Sequence, residues 1–187
     1  MVMKQRLIKF GWVLCWALVT AATLAQQGPT VVELRDLNQR PLRAPDAGDL
    51  GGTVPPLNKD WVRIEVRYET RAEWLDEVTV KFFASVGKGR AEQVLAGELT
   101  HVNLARGTHY SAMFLHPNVV QRFGDGQVNA VAVQIYSQNK LVAQRGEPGL
   151  RPRWWENAKT VGGLLVAPQN SPWAPVAAGR YDATKAP

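Results

Sequence analysis

The feature that most constrains the fold is the alternation of apolar and polar side chains from Asp76 to Val86. The apolar positions share one parity and are Val78, Val80, Phe82, Ala84 and Val86. The other parity carries Thr79, Lys81 and Ser85, and only Phe83 departs from the pattern. A period of two over this length predicts a β-strand with one buried face and one solvated face.

The stretch from Trp61 to Tyr68 alternates in the same way. We therefore expect two strands that are joined by a loop from Glu69 to Leu75 and lie side by side in an antiparallel sheet with one wet face. Within that loop, Trp74 and Leu75 are predicted to pack against the edge of the core.

Several other short segments have strand-like patterns and are separated by turn residues. They are Thr30–Arg35, Gln93–Leu104, Thr108–His116, Val128–Tyr136, Leu141–Gln144 and Gly163–Val166. Ala105 to Gly107 is predicted to be a hairpin loop, and residues 117–123 a single helical turn that begins at a proline. About seven short strands with little helix favour an all-β fold, an immunoglobulin-like antiparallel β-sandwich, with a small open barrel as the alternative.

The first 25 residues have the organisation of a secretory signal peptide. A short basic segment precedes an apolar run from Phe10 to Val19, and small residues follow up to Ala25. The apolar run of about 10–15 residues is shorter than the ~20 that a membrane-spanning helix needs, which argues against an N-terminal anchor. We expect cleavage before Gln26, export to the periplasm or cell surface, and no integral membrane segment afterwards.

The rest of the chain divides by composition. Residues 26–60 are rich in proline and glycine and are predicted to form an arm that packs on its own domain, enters a partner's sheet or remains a disordered linker. Residues 61–167 are predicted to form the sandwich. Residues 168–187 form a tail rich in proline and alanine.

Charge and cysteine content exclude several classes of protein. The predicted signal peptide holds three of the 22 basic residues and no acidic residue, so its removal lowers the formal net charge from +6 to +3. That modest charge does not indicate a nucleic-acid-binding protein. The only cysteine, Cys15, lies in the apolar run, so we expect no disulfide and no cysteine-ligated metal in the exported chain.

No constellation of residues points to a reaction. Gly-x-Ser-x-Gly is absent, and the neighbouring carboxylates Asp76 and Glu77 would point to opposite faces of a strand. His101 and His109 are predicted to share a solvent-facing surface, but His116 has the opposite parity, so a third metal ligand is missing. We therefore expect no enzyme activity, no metal site and no cofactor.

Tryptophan and arginine cluster late in the chain. These two residue types are enriched at the energetic centres of protein interfaces. One of Trp154 and Trp155 is expected to face outward, either as an interface residue or as a cover for the C-terminal tail. The predicted partner-binding residues are Arg151, Arg153, Trp154, Trp155 and Trp173.

Strand and tail motifs resemble those of a known family. The segments Trp74–Phe82 and Asn129–Ile135, and the tail Asn170–Pro175 with Tyr181-Asp182 behind it, are similar to a group of small exported proteins from Verrucomicrobia. Its best-known member is the immunoglobulin-like protein of the Akkermansia type IV pilus-like gene cluster. The resemblance covers roughly residues 61–182, and it implies an immunoglobulin-like fold, a role at a pilus or cell-surface assembly and no active site.

These observations together predict a non-enzymatic structural or adaptor protein of a bacterial envelope or surface assembly. Its partners would be envelope or pilus-like proteins, bound by protein–protein contact. The alternative is a carbohydrate-binding module that stacks exposed aromatic side chains on a glycan.

Overall fold

The structure is a computed structural model that describes residues 31–43, 60–147 and 152–185. Within these residues, seven strands form one sheet, in which two strands are far longer than the others. They are β1 (Val32–Leu42), β2 (Trp61–Val86), β3 (Gln93–Leu115), β4 (Val128–Ser137), β5 (Lys140–Glu147), β6 (Thr160–Gly162) and β7 (Leu165–Val166). The helices are α1 (Pro117–Gly124) and α2 (Ala174–Ala177). No helix among the described residues has the length and apolar character needed to cross a bilayer.

The long strands β2 and β3 run through both halves of the fold. In the first half, the beginning of β2 pairs with β1 and with the end of β3, which also pairs with β7. In the second half, the end of β2 lies between β4 and the beginning of β3, with β5 beyond β4 and β6 beyond β3. All pairs are antiparallel except the short parallel pair of β3 with β6.

The two halves face each other over a single core, as in a β-sandwich. Apolar side chains from both, among them Ile64 and Tyr68 from one half and Phe82 and Ile135 from the other, belong to the same buried cluster. The alternating stretch behaves as expected, since Val78, Val80, Phe82, Ala84 and Val86 are fully buried. The predicted all-β sandwich of about seven strands is confirmed, and α1 confirms the predicted helical turn.

The predicted pairing of the first two strands was wrong. Trp61–Tyr68 and Asp76–Val86 are the two ends of the single strand β2, and each pairs with a different part of β3. The expected loop stays extended, and a register shift between Thr70 and Trp74 absorbs the bend. Such a bulge adds unpaired residues to one strand and turns the sheet without ending it.

The predicted hairpin at Ala105–Gly107 was wrong for the same reason. Residues 93–115 form one continuous strand, and Gly107 pairs with Thr70 at the bend. Other turns follow the sequence closely, and Asn139 adopts the left-handed conformation with φ of 61° between β4 and β5.

Candidate interaction surface

The outer face of the second half carries a groove of about 1020 Å³. Its floor is built from side chains of β2, β3 and β4 that point away from the core, and the segment of residues 152–159 with β6 forms one wall. Residues that define the groove include Lys81, Phe83, Glu98, Gln134, Tyr136 and Trp155. The lining of the groove is mixed, with charged, polar and apolar side chains.

Trp155 supports the wall of this groove from within the fold. Its side chain is 7% exposed and belongs to a small buried cluster with Phe83, Val94 and Ala132. The indole lies so close to Gly146 that a Cβ at that glycine would be 2.3 Å from the ring. Trp155 therefore acts chiefly as a packing residue.

The neighbouring predicted residues precede Trp155 in sequence and do not line the groove. Trp154 is half-buried and meets Trp155 edge to face with ring centroids 5.5 Å apart. Arg153, whose side chain is 66% exposed, lies 3.7 Å from the carboxylate of Glu156. These residues occupy turns, so the alternation expected for a strand does not apply to them, and Arg151 lies outside the described residues.

Trp173 packs on the first half of the sandwich. Its ring stacks on Phe114 at 5.1 Å and meets Trp61 edge to face at 5.7 Å. The C-terminal segment, defined as residues 173–185, is thus docked on the body of the protein from its first residue.

Glu65 holds the middle of the C-terminal segment. Its carboxylate accepts two hydrogen bonds from the guanidinium of Arg180, at 2.9 and 3.1 Å, and one from the Tyr181 hydroxyl at 2.9 Å. Burial and the Glu65 carboxylate raise the pKa of Tyr181 to about 12, so this hydroxyl remains a hydrogen-bond donor at neutral pH. The hydrogen bond of Arg180 to Glu65 likewise raises the pKa of the guanidinium.

The end of the segment closes the edge of β3. The amide of Val102 donates to the carbonyl of Ala183, and the amide of Lys185 donates to the carbonyl of Thr100. The Lys185 ammonium lies 2.6 Å from Glu77. Backbone pairing of this kind covers an otherwise open sheet edge.

His101 and His109 are buried, so the prediction that they face solvent was wrong. They are 1% and 8% exposed, and both converge on Asp182 of the C-terminal segment. Nδ1 of His109 lies 2.9 Å from the Asp182 carboxylate, and Nδ1 of His101 lies 3.3 Å from the Asp182 carbonyl oxygen. Among the described residues, no group of three His, Cys, Asp or Glu side chains is arranged to hold a metal ion.

Each of the two histidines lies beside a hydroxyl group. Nε2 of His109 lies 3.1 Å from the Thr70 hydroxyl and 2.8 Å from the Ala105 carbonyl oxygen. The Thr70 hydroxyl donates to that carbonyl oxygen at 2.7 Å, so its hydrogen is directed away from the histidine. Nε2 of His101 lies 2.7 Å from the Ser111 hydroxyl, and both residues are buried.

The buried position of His101 predicts a loss of stability in acid. Burial lowers its pKa below the ordinary 6.5, although nearby Asp182 opposes this effect. Below pH 6.5, His101 binds a proton more readily in the unfolded chain than in the folded chain. The free energy of unfolding therefore falls as the pH decreases from 6.5 toward the folded pKa of His101. Between about pH 7.5 and about pH 5.5, the free energy of unfolding should fall less for His101→Gln than for the wild type, as measured by denaturant titration. An identical decrease in both proteins would contradict this assignment.

Trp74 is the residue that sequence reasoning placed wrongly. It was predicted to pack against the core, as Leu75 does, but its side chain is 64% exposed. Its ring lines a cleft of about 260 Å³ between β2 and the turn that joins β4 to β5. Only the register shift after Thr70 places Trp74 on the outside, and no sequence period reports such a shift.

These features define an immunoglobulin-like β-sandwich with a docked C-terminal segment and a groove on one outer face. Comparison with a known structure supports this fold class. A crystal structure of a protein from Akkermansia muciniphila matches with a TM-score of 0.67 at 22% identity, covering 83% of this chain and 93% of that chain. At that identity the likeness shows a shared fold. No curated protein matches.

A protein-family model matches residues 23–187. The chain therefore belongs to that family, the small immunoglobulin-like proteins of Verrucomicrobia that are similar to the one in the Akkermansia type IV pilus-like gene cluster. This is the family that the strand and tail motifs indicated, and it is not a known enzyme family.

Proposed function

We propose that this protein is a non-enzymatic structural or adaptor component of a pilus-associated assembly in the bacterial envelope or at the cell surface. It acts by protein–protein contact. The observation that carries this proposal is the groove of about 1020 Å³ on the outer face of the sheet, next to strand β6, whose three residues are exposed. Membership in a family related to a pilus-associated protein supports the setting.

The groove suits a polypeptide because it combines a polar floor with a free sheet edge. All three residues of β6 are exposed, so the backbone groups on its outer side are placed to pair with an added strand. On the floor, Lys81 and Glu98 lie 3.5 Å apart and can exchange partners with charged side chains of an incoming segment. Arg153 and Trp154 contact the wall residues Glu156 and Trp155, whereas Trp155 supports the wall and Trp173 holds the C-terminal segment.

The groove suits a glycan less well. Glycan-binding grooves need aromatic ring faces that are free to stack on sugars. Here Phe83 and Trp155 are 8% and 7% exposed, and the ammonium of Lys81 covers the ring of Tyr136 at 5.2 Å from its centroid. We therefore favour a protein partner over the carbohydrate-binding alternative.

We further propose that residues 1–25 direct export and are removed. The protein then resides in the periplasm or at the surface. Within the exported chain, β1 belongs to the sandwich because it pairs with β2 over its length, and the C-terminal segment belongs to it through Glu65 and Asp182.

Two glycines give a matched pair of variants for testing the groove. Gly162 lines the groove and Gly179 lies in the C-terminal segment, and neither has an atom within 4 Å of the position where a Cβ would be. The full-length chain, tagged after Pro187 and expressed in its native cell, is captured from the envelope and its partners are identified by mass spectrometry. We expect pilus or envelope proteins with the wild type and with Gly179→Arg, and their loss with Gly162→Arg.

Two results would overturn the proposal. One is a capture dominated by polysaccharide with no protein above background, which would favour the glycan alternative. The other is equal recovery of the same proteins with Gly162→Arg and Gly179→Arg, which would place the contact elsewhere.

A further inference from the structure

The cleft beside Trp74 is lined by an aromatic ring, carboxylates and side-chain amides. Its lining includes Trp74, Asp76 and Glu77 from β2 and Gln138 and Asn139 from the turn between β4 and β5. Trp74 is 64% exposed, and tryptophan is enriched at the centres of protein interfaces.

The charges around the cleft favour a positively charged ligand. Within the described part of the chain, Asp76 forms no ion pair, and Glu77 already holds the ammonium of Lys185 at 2.6 Å. The cleft thus binds one cationic side chain of its own chain at its edge and leaves a second carboxylate unneutralised. Two other lysines compete for this site. Lys140 follows the turn on the other side, and the Lys81 ammonium lies 5.2 Å from the ring centroid of Tyr136, although it is paired with Glu98 at 3.5 Å.

We propose that this cleft receives an arginine side chain from a partner protein. A guanidinium is planar, so it can stack on the indole of Trp74 while its N–H groups donate to Asp76 and to the side-chain oxygens of the amides. A lysine ammonium would gain the charge attraction without the planar stacking. This inference rests on the proposed function, because it assumes that the partner is a protein, and it adds the chemistry by which that partner is recognised.

The cleft and the groove share a lining residue. Tyr136 lines both, so a partner segment that lies along the sheet can place an arginine beside Trp74 while the remainder occupies the groove. The two sites would then bind parts of one partner.

The test is a titration of the full-length chain with three capped tripeptides, acetyl-Gly-Arg-Gly-amide, acetyl-Gly-Lys-Gly-amide and acetyl-Gly-Glu-Gly-amide, monitored by NMR. The indole N–H signal of Trp74 is identified by its absence in Trp74→Phe. The arginine peptide should shift this signal most, the lysine peptide less and the glutamate peptide least. Asp76→Asn, which keeps the shape of the side chain, should weaken arginine binding about two- to fivefold, whereas Glu147→Gln, an exposed carboxylate outside the cleft and the groove, should not.

Equal shifts with the arginine and glutamate peptides, or unchanged arginine binding by Asp76→Asn, would overturn the inference. Capture from the envelope separates it from the proposed function. If Trp74→Ala recovers the same proteins as the wild type while Gly162→Arg loses them, the groove contact stands and the arginine site is wrong. If both variants lose them, and the peptide titration shows the arginine preference, both hold.

Discussion

Glu65→Gln should lower the free energy of unfolding by about 2 kcal/mol, because the carboxylate is buried and accepts hydrogen bonds from Arg180 and Tyr181. Hydrogen bonds to a charged group contribute about 1.5–3 kcal/mol. We take the lower part of that range because the Arg180 side chain is 46% exposed and solvent screens its charge. Denaturant titration measures the loss.

The same variant should loosen the C-terminal segment. Trypsin should then cleave after Arg180 and Lys185 faster than in the wild type, because these sites must leave the sheet before a protease can bind them. Glu98→Gln is the control, since its ion pair with Lys81 joins side chains that are 62% and 42% exposed and should change stability by less than about 0.5 kcal/mol. If Glu65→Gln behaved like this control, the C-terminal segment would not be part of the cooperative fold.

Trp155→Ala should cost about 3 kcal/mol of stability, because truncating a buried tryptophan removes apolar contacts and leaves a cavity. Gly146→Val should destabilise in the same direction by about 1–3 kcal/mol, because its side chain would occupy the space of the indole. Denaturant titration again gives the values. Trp154→Ala is the matched control and should cost less than about 1 kcal/mol, since that side chain is half-buried.

This pair of tryptophans separates support of the fold from binding of a partner. If Trp155→Ala kept wild-type stability but lost the captured proteins, Trp155 would be an interface residue, as its sequence neighbourhood suggested. If Trp155→Ala lost stability, and Trp154→Ala stayed stable but lost the captured proteins, the contact would be at Trp154.

The period of the side chains explains which parts of the fold could be predicted. The buried face of an alternating strand follows directly from its sequence, so the inward positions of Val80 and Phe82 in β2 were predicted correctly. Pro117 and the glycine at 124 likewise mark the ends of α1 by local geometry.

Continuity across the bend could not be predicted. The residues between Thr70 and Trp74 look like a loop in the sequence, but the residues on either side of them pair with Gly107 and Ala105 of β3, more than 30 positions later. Trp74, which follows this register shift, lies outside, and His101 and Ser111 meet within the continuous strand β3.

The burial of Glu65 and of the two histidines could not be predicted from the sequence for a related reason. Glu65 lies on the polar parity of an alternating strand, which predicts solvent exposure, and only Arg180 and Tyr181 at the far end of the chain cover it. Asp182 does the same for His109. The tail motif with Tyr181 and Asp182 indicated the family, but the sequence did not indicate which residues these two side chains contact.

Site-specific photo-crosslinking from the groove tests the central claim most directly. A p-benzoylphenylalanine in place of Glu98, whose side chain is 62% exposed on the groove floor, is compared in the native envelope with the same group in place of Val176, which is 70% exposed on α2. The proposal predicts a discrete crosslinked envelope protein from position 98 and none from position 176. Crosslinks of equal yield from both positions, or protein crosslinks from position 176 alone, would contradict it.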